Sequence, residues 1–470
     1  MAATLGAIAK SLYRHVTSGS PEEYKSLSLK LQLIATIMRT TDETEATKIT
    51  QADQNKFDFV KHVKRKRQRL ETLGASKPKR GVVIEINVPV THDGFKGELA
   101  TEPENGDRHL EAEWQLSDQV VSPRTDRMVL YIHGGGYSIL SRKVYRPLSL
   151  MLSQVLSCPV LSTDYRLAPE HPYPAALQDV VALYLYLTNT LQIPSRSIIL
   201  AGDSSGAAMC LGLMLYLRDY HEPQQMPSSS ILFSPSCDLT RSFKSLDDNQ
   251  CFDALFEPSN DCSTCPGRLY LSQNNQEFNK LISKPYVSAS LAQNLHGLPK
   301  LLILSGSNEV LRDEATLLSH RASRQGVQVQ HDLYDNGIHS FVVFVDEDIA
   351  VSAFDNVRTW AKKVLDSVSI KQQENVNNQS VLALRDIVDR LHDKRRGQGW
   401  SQNRIKSDER KPKWIFEADL NRLPPEPQCR SGAHVEAQKA VANFQQLGLV
   451  KGVSTVWTPK RNTNKLTITL

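Results

Sequence analysis

Nowhere in its 470 residues does the chain hold the ~18 uninterrupted apolar residues that a membrane-spanning helix needs. The best stretch, Leu27 to Met38, is broken by Lys30, Gln32 and Thr36. The opening MAATLGAIAKSLYRH lacks the apolar core of a secretory leader. The sequon at Asn378-Gln-Ser380 has no other sign of secretion beside it. The closing Thr-Ile-Thr-Leu is neither a prenylation nor a peroxisomal address, so a cytoplasmic setting is the default expectation. Cysteine is sparse. Seven are scattered at 158, 210, 237, 251, 262, 265 and 429, an odd number without the dense spacing of a disulfide framework. Cys262-Ser-Thr-Cys265 stands alone. Without a second ligand pair it makes no zinc site, and it reads as a local disulfide or two free thiols. No internal repeat is present.

Charge is nearly balanced. The formal net charge of +5 calls for no acidic partner, and no nucleic acid is expected. The excess is local: residues 371–470 carry 18 Lys and Arg against 10 Asp and Glu, which leaves the first 370 residues at −3. Hydrophobic residues make up 40% of the chain, enough for a substantial core.

Residues 1–75 read as a helical region. Ser20-Pro21-Glu22-Glu23 has the form of a capping box with proline at the first helical position. Leu27, Leu31, Ile34 and Met38 then recur at helical spacing, a stripe that must cover a core, a pocket or a membrane surface. Lys64-Arg65-Lys66-Arg67-Gln68-Arg69 reads first as a solvated helix face, with a nuclear signal or an anionic-surface contact as alternatives.

From Gly81 the period changes. Val82, Ile84, Ile86 and Val88 alternate as in a strand, and short apolar runs follow at Met128–Ile132, Val160–Asp164, Ser197–Ala201, Ile231–Phe233, Leu301–Leu304 and Val327–Leu333. Helical stretches at 175–191 and 205–220 separate some of them. Strands alternating with helices predict an α/β fold over 76–368, a mostly parallel sheet with helices on both faces. Residues 240–290 are polar and irregular and read as an insertion. The basic stretch 369–470 reads as an extension, partly disordered, with one amphipathic helix marked by Val381, Leu384, Val388 and Leu391.

The chemistry begins at Gly202-Asp203-Ser204-Ser205-Gly206. A strand leads into it and a helix leaves it, and the sharp turn between them needs small neighbours to push a serine hydroxyl out at the end of the sheet. A hydroxyl near neutral pH needs a base to take its proton. The carbonyl oxygen under attack also needs donors aimed at the charge it acquires. His133-Gly134-Gly135-Gly136 follows a strand and offers such donors from its backbone, with the N–H of Ser205 completing the set. The base is one of the histidines after the serine: His221, His296, His320, His331, His339, His392 or His434. His339 is preferred, because Asn-Gly-Ile-His-Ser-Phe forms a loop just past the Val327–Leu333 strand. The acid follows the Leu301–Leu304 strand, as Glu309, Asp313 or Glu314. Glu309 is preferred as nearest the strand end.

HGGGY at 133–137, DYRLAPEHPYPAALQD at 164–179, GDSSG at 202–206, EVLRDE at 309–314 and GIHSF at 337–341 together resemble the hormone-sensitive-lipase-like branch of the α/β-hydrolases. That branch includes arylacetamide-deacetylase-like and fungal steryl-acetate-hydrolase-like enzymes. The resemblance covers roughly residues 80–365. It implies Ser204 as nucleophile, Glu309 as acid, His339 as base, and Gly134, Gly135 and Ser205 as oxyanion donors. It further implies no cofactor or metal, and a cap built from the N-terminal helices and the 240–290 insertion.

The expected activity is hydrolysis of short-to-medium acyl esters, often acetates, of a hydrophobic alcohol. Amidase, deacetylase or dehydratase chemistry on the same fold is the alternative. A non-catalytic receptor, as in the plant gibberellin receptors of this type that lack the histidine, is disfavoured by His339. Tyr137 is a candidate pocket residue or a packing residue. Contact with a membrane surface stays open. Three departures stand out: Glu309-Val-Leu where Asp-Pro-Leu is usual, Ser205 where Ala is usual, and Ala207 where Gly is common.

Overall fold

Strands that are apolar at every position must be covered on both faces, and the structure covers them. The computed structural model describes residues 27–51, 58–74, 80–90, 95–100, 108–255, 262–366, 378–398, 423–424, 427–430 and 435–446. Eight strands form one sheet: β1 (Gly81–Pro89), β2 (His109–Ser117), β3 (Met128–Ile132), β4 (Val160–Thr163), β5 (Ile198–Asp203), β6 (Ser229–Phe233), β7 (Lys300–Gly306) and β8 (Val329–Tyr334). Their order is β1-β2-β4-β3-β5-β6-β7-β8. β2 pairs antiparallel with both β1 and β4, and the other neighbours are parallel.

The longer helices are α1 (Leu29–Gln51), α2 (Phe59–Gly74), α3 (Arg146–Leu156), α4 (Ala175–Leu185), α5 (Ser205–Tyr220), α6 (Arg312–Arg324), α7 (Asp348–Ala361), α8 (Asn378–Gly397) and α9 (Val435–Gln446). Successive side chains along a strand point to opposite faces. Leu130, Leu200 and Ile303 accordingly enter one core with Leu211 of α5 and Leu318 of α6. Val129, Ile199 and Leu302 enter the other with Leu152 of α3 and Phe354 and Trp360 of α7.

The sequence reading misses β2. Its Glu111, Glu113 and Gln115 break the apolar pattern, yet Glu113 and Gln115 are fully buried. Burial of such groups is tolerable because each has partners. Arg146 donates to both carboxylate oxygens of Glu113, at 2.9 and 2.7 Å, and Gln115 Nε2 donates to Glu113 at 2.9 Å and to Ser162 at 2.7 Å.

The Ser20–Glu23 capping box lies outside the described residues. α1 begins at Leu29, and Ser28 Oγ accepts the Leu31 N–H at 3.1 Å. Leu27 and Leu31 of the apolar stripe are buried in the core, whereas Met38 is 44% exposed. The basic run lies on α2, and two of its cations are tied down rather than free in solvent. Arg67 donates to the Ser138 and Ala168 carbonyls and makes a two-pronged contact with Glu170, all at 2.9–3.0 Å; Lys66 pairs with Asp42 at 2.8 Å.

Past residue 368, the described segments lie against the rest of the chain. α8 buries Leu384, Val388 and Leu391 against the β1–β2 edge. Its Arg395 donates to the carbonyls of Val120 (2.7 Å) and Ser117 (3.4 Å). Further on, Cys429 forms a β-bridge with Phe243, the Lys244 N–H donates to Gln428 O at 3.0 Å and the Arg430 N–H to Ser242 O at 2.8 Å. α9 packs Ala437, Ala440 and Val441 on Phe243, Leu291 and Leu317. Among the described residues no cysteine is joined in a disulfide, Cys262 and Cys265 included. Among the described residues no helix is long and apolar enough to cross a membrane, and no cluster of potential metal ligands occurs.

Candidate active site

β5 ends at Asp203 and α5 starts at Ser205, so the chain reverses on one residue. Ser204 takes φ 53° and ψ −123°, a conformation costly for any side chain. Its main chain is clamped in place: its N–H donates to Phe233 O at 2.9 Å, and its carbonyl accepts from Ser236 N at 3.1 Å. Gly202 and Gly206 let the two arms of the turn touch. A Cβ on Gly206 would sit 2.1 Å from the Ile132 carbonyl, and one on Gly202 would sit 2.7 Å from Gly206. Small residues around the serine are therefore a steric requirement of the turn.

Three residues widely separated in sequence meet at this point. His339 Nε2 is 3.0 Å from Ser204 Oγ. Glu309 Oε2 is 3.8 Å from His339 Nδ1. The loops that carry the two are pinned together: Asn308 N donates to Gly337 O at 2.9 Å, Ser307 N to Tyr334 O at 2.8 Å and Asn336 N to Ser307 Oγ at 2.8 Å. Glu309 is fully buried, and its Oε1 accepts from Gly306 N (2.7 Å) and Ser234 Oγ (2.5 Å). Burial alone would depress the His339 pKa, but Glu309, Asp253 and Asp203 outweigh it and hold the imidazole above its ordinary value.

The competing candidates are engaged elsewhere. Asp313 accepts from Ser245 N, and Glu314 from the N–H groups of Cys237 and Asp238. His320 bonds Pro424 O, His331 lies between Ser305 and Ser319, and His392 bonds Arg395. His221 sits by Gln225 at the end of α5, and His296 is exposed. His434 lies outside the described residues.

The glycine loop calls for a correction. Gly134 N–H donates to Asp203 Oδ1 at 2.8 Å, so it is not free to meet a substrate oxygen. Asp203 is fully buried and also accepts from Tyr131 OH (2.6 Å) and Tyr145 OH (2.8 Å). Burial raises its pKa, and these three donors oppose the rise. The residue before the nucleophile thus holds the glycine loop against the turn.

Gly135 and Gly136, not Gly134, line the cavity that contains Ser204 and His339. Gly135 takes φ +115°, and a Cβ there would lie 2.2 Å from Ile139 O, so no other residue fits. Ser205 opens α5, where main-chain N–H groups have no partner inside the helix. His133 points away from the chemistry. Its Nδ1 lies 2.7 Å from Gly134 O, and its ring stacks on Tyr165 at 4.4 Å.

The cavity holds about 280 Å³. Met38 of α1 and Val63 of α2 reach it from one side, and Leu255, Pro266 and Leu269 of the 240–290 segment from another. Tyr137 borders it but is 2% exposed, its ring stacked on Tyr270 at 3.7 Å between centroids, so it acts as packing as well as lining.

A family model described as the alpha/beta hydrolase fold matches residues 129–343. An esterase of Acinetobacter venetianus is 35% identical over 218 residues, which span 46% of this chain and 68% of that one. An acetyl-hydrolase of Streptomyces hygroscopicus is 34% identical over 232 residues, spanning 49% and 72%. The chain belongs to the hormone-sensitive-lipase branch of the α/β-hydrolases. The crystal structure of an esterase from the bacterial hormone-sensitive lipase family superposes with a TM-score of 0.55 at 26% identity, covering 72% of this chain and 99% of that one. As a member of that branch, the protein is a hydrolase of the esterase/lipase type. Outside the matched 129–343 lie α1, α2, β1, β2, α7, α8 and α9, among them both N-terminal helices that border the cavity.

Proposed function

We propose that the protein hydrolyses carboxylic esters through an acyl-enzyme on Ser204, with His339 as base and Glu309 as the acid that steadies it. The observation that carries this reading is the 3.0 Å approach of His339 Nε2 to Ser204 Oγ, at the sharp turn that joins β5 to α5. His339 takes the hydroxyl proton as Ser204 Oγ attacks the ester carbonyl carbon. The oxygen of the tetrahedral intermediate gains a negative charge, and the N–H groups of Gly135, Gly136 and Ser205 donate hydrogen bonds to it. Collapse breaks the C–O bond to the alcohol, and the imidazolium returns its proton to that leaving oxygen. Water then repeats the sequence on acyl-Ser204, releasing the acid and restoring the hydroxyl.

Glu309 keeps the imidazole oriented and favours its charged form. A cavity of about 280 Å³ lined by Met38, Leu255, Leu269 and Phe344 suits a short-to-medium acyl ester of a hydrophobic alcohol. α1, α2 and the 240–290 segment act as its cap.

The test is turnover of p-nitrophenyl acetate and butyrate by the purified protein and by Ser204→Ala. Wild type should turn over both, and Ser204→Ala should lose on the order of 10⁴–10⁶-fold in kcat. A Ser204→Ala protein with undiminished rate would refute the mechanism.

A further inference from the structure

One buried carboxylate beneath the His339 loop has no part in the chemistry just described. Asp253 lies between β6 and β7 and is fully buried. Its Oδ1 accepts the main-chain N–H of His339 at 2.7 Å and of Ala254 at 2.7 Å. Its Oδ2 accepts the N–H of Val310 at 2.8 Å. One side chain therefore joins the residue that bears the base to the residue directly after the acid. Burying a charge is costly unless its oxygens are occupied, and here three N–H donors occupy them.

The surroundings hold Asp253 in turn. Its N–H donates to Asn249 O at 3.0 Å, and Asn249 Nδ2 donates to the carbonyls of Ser307 (3.0 Å) and Glu309 (2.7 Å). Arg39 of α1 donates to Asp253 O at 3.1 Å. The charged and titratable groups facing this corner are His339 and Glu309 from the two loops and Arg39 from α1, with Asp203 also acting on the imidazole. Burial raises the Asp253 pKa to about 6, with His339 opposing the rise and Glu309 adding to it.

We propose that Asp253 is a positioning residue for ester hydrolysis: it holds the Glu309 and His339 loops in register, and its charge favours the imidazolium formed when Ser204 is deprotonated. This inference rests on the catalytic roles proposed above.

Asp253→Asn keeps the shape, removes the charge and sets an NH₂ group against a main-chain N–H. Wild type and Ser204→Ala are compared first on p-nitrophenyl acetate. An inactive wild type would count against the catalytic reading alone. On an active background, Asp253→Asn should lower kcat about 10–100-fold, the scale expected of a misaligned catalytic group, with KM changed less than about twofold. The acid limb of its kcat/KM profile should move to lower pH, because a carboxylate favouring the imidazolium has gone. Unchanged kcat, or a loss that follows Tm while the acid limb stays put, would overturn the proposal.

A second measurement needs no variant at Asp253. In the amide NMR spectrum of Ser204→Ala protein, the His339 and Val310 N–H resonances should share one inflection, that of the Asp253 carboxylate, which the His339 N–H shows beside the inflection of its own imidazole. No shared inflection, or no titration of either, would also overturn it.

Discussion

His339 Nδ1 and Glu309 Oε2 face each other across 3.8 Å, both buried, and among the described residues neither atom has a hydrogen-bond partner. The gap exceeds a hydrogen bond, so the pair is coupled by charge in this state. The other carboxylate oxygen is fixed by Gly306 and Ser234, which leaves Oε2 as the working one. Glu309→Gln keeps the shape and removes the charge. It should lower kcat by about 10³–10⁴-fold, the scale seen when a triad loses its acid. Asp313→Asn, whose carboxylate serves Ser245 N, should cost less than about tenfold. Steady-state kinetics on p-nitrophenyl acetate decide, and the reverse ranking would reassign the acid.

The pH dependence follows from the same pair. A base must be neutral to accept a proton, and burial of His339 is outweighed by Glu309, Asp253 and Asp203, so its pKa lies above 6.5. The acid limb of kcat/KM should therefore have its midpoint above 6.5, and Glu309→Gln should move that midpoint downward. For stability the sign is opposite. A histidine raised in the folded state contributes stability that is fully present below its unfolded value and is lost as pH rises through the folded one. The protein should be most active where His339 has ceased to stabilise it. A pH–rate profile run beside thermal unfolding checks both statements.

The C-terminal segments should matter in two separable ways. Residues 428–430 pair with 242–244, a few residues before Asp253, and α9 covers Phe243. The Arg430–Asp247 ion pair is exposed and contributes little. Removing residues beyond 420 should leave the sheet folded, lower Tm by a few degrees and lower kcat, because the segment bearing Asp253 loses its lateral support. Cutting at 370 also removes α8 and bares its seat on β1 and β2. That form should be markedly less stable, as should Leu391→Ala in the full chain, which should cost about 2–5 kcal/mol. Thermal unfolding with activity on the three forms separates the effects. Equal Tm for full-length protein and the 370 truncation would contradict the packing of α8.

The serine turn was readable from sequence because its requirements are local. Gly202 sits where Gly206, four residues on, leaves no room for a Cβ. The strands flanking it were readable because both faces are buried and the apolar run is unbroken. β2 escaped notice because Glu113 and Gln115 look like surface residues until Arg146 and Ser162, far along the chain, arrive to satisfy them.

The glycine loop misled for a similar reason. Three consecutive glycines are equivalent as letters. Only the side chain of Asp203, coming from another strand, takes the N–H of Gly134 and leaves Gly135 and Gly136 at the cavity. Asp253 carried no local signal at all. It lies in an irregular, polar segment, and its partners His339 and Val310 are defined only by the fold.

Ser204 takes its φ of 53° between main-chain hydrogen bonds to Phe233 and Ser236 and the start of α5. Such a conformation costs a residue with a side chain about 1–3 kcal/mol, and glycine nearly nothing. A selection that rewarded thermal tolerance and ignored turnover would drift toward glycine at 204. Stability and catalysis thus pull against each other at a single codon, and that conflict gives any heat-selected lineage of this enzyme a direct route to losing its activity.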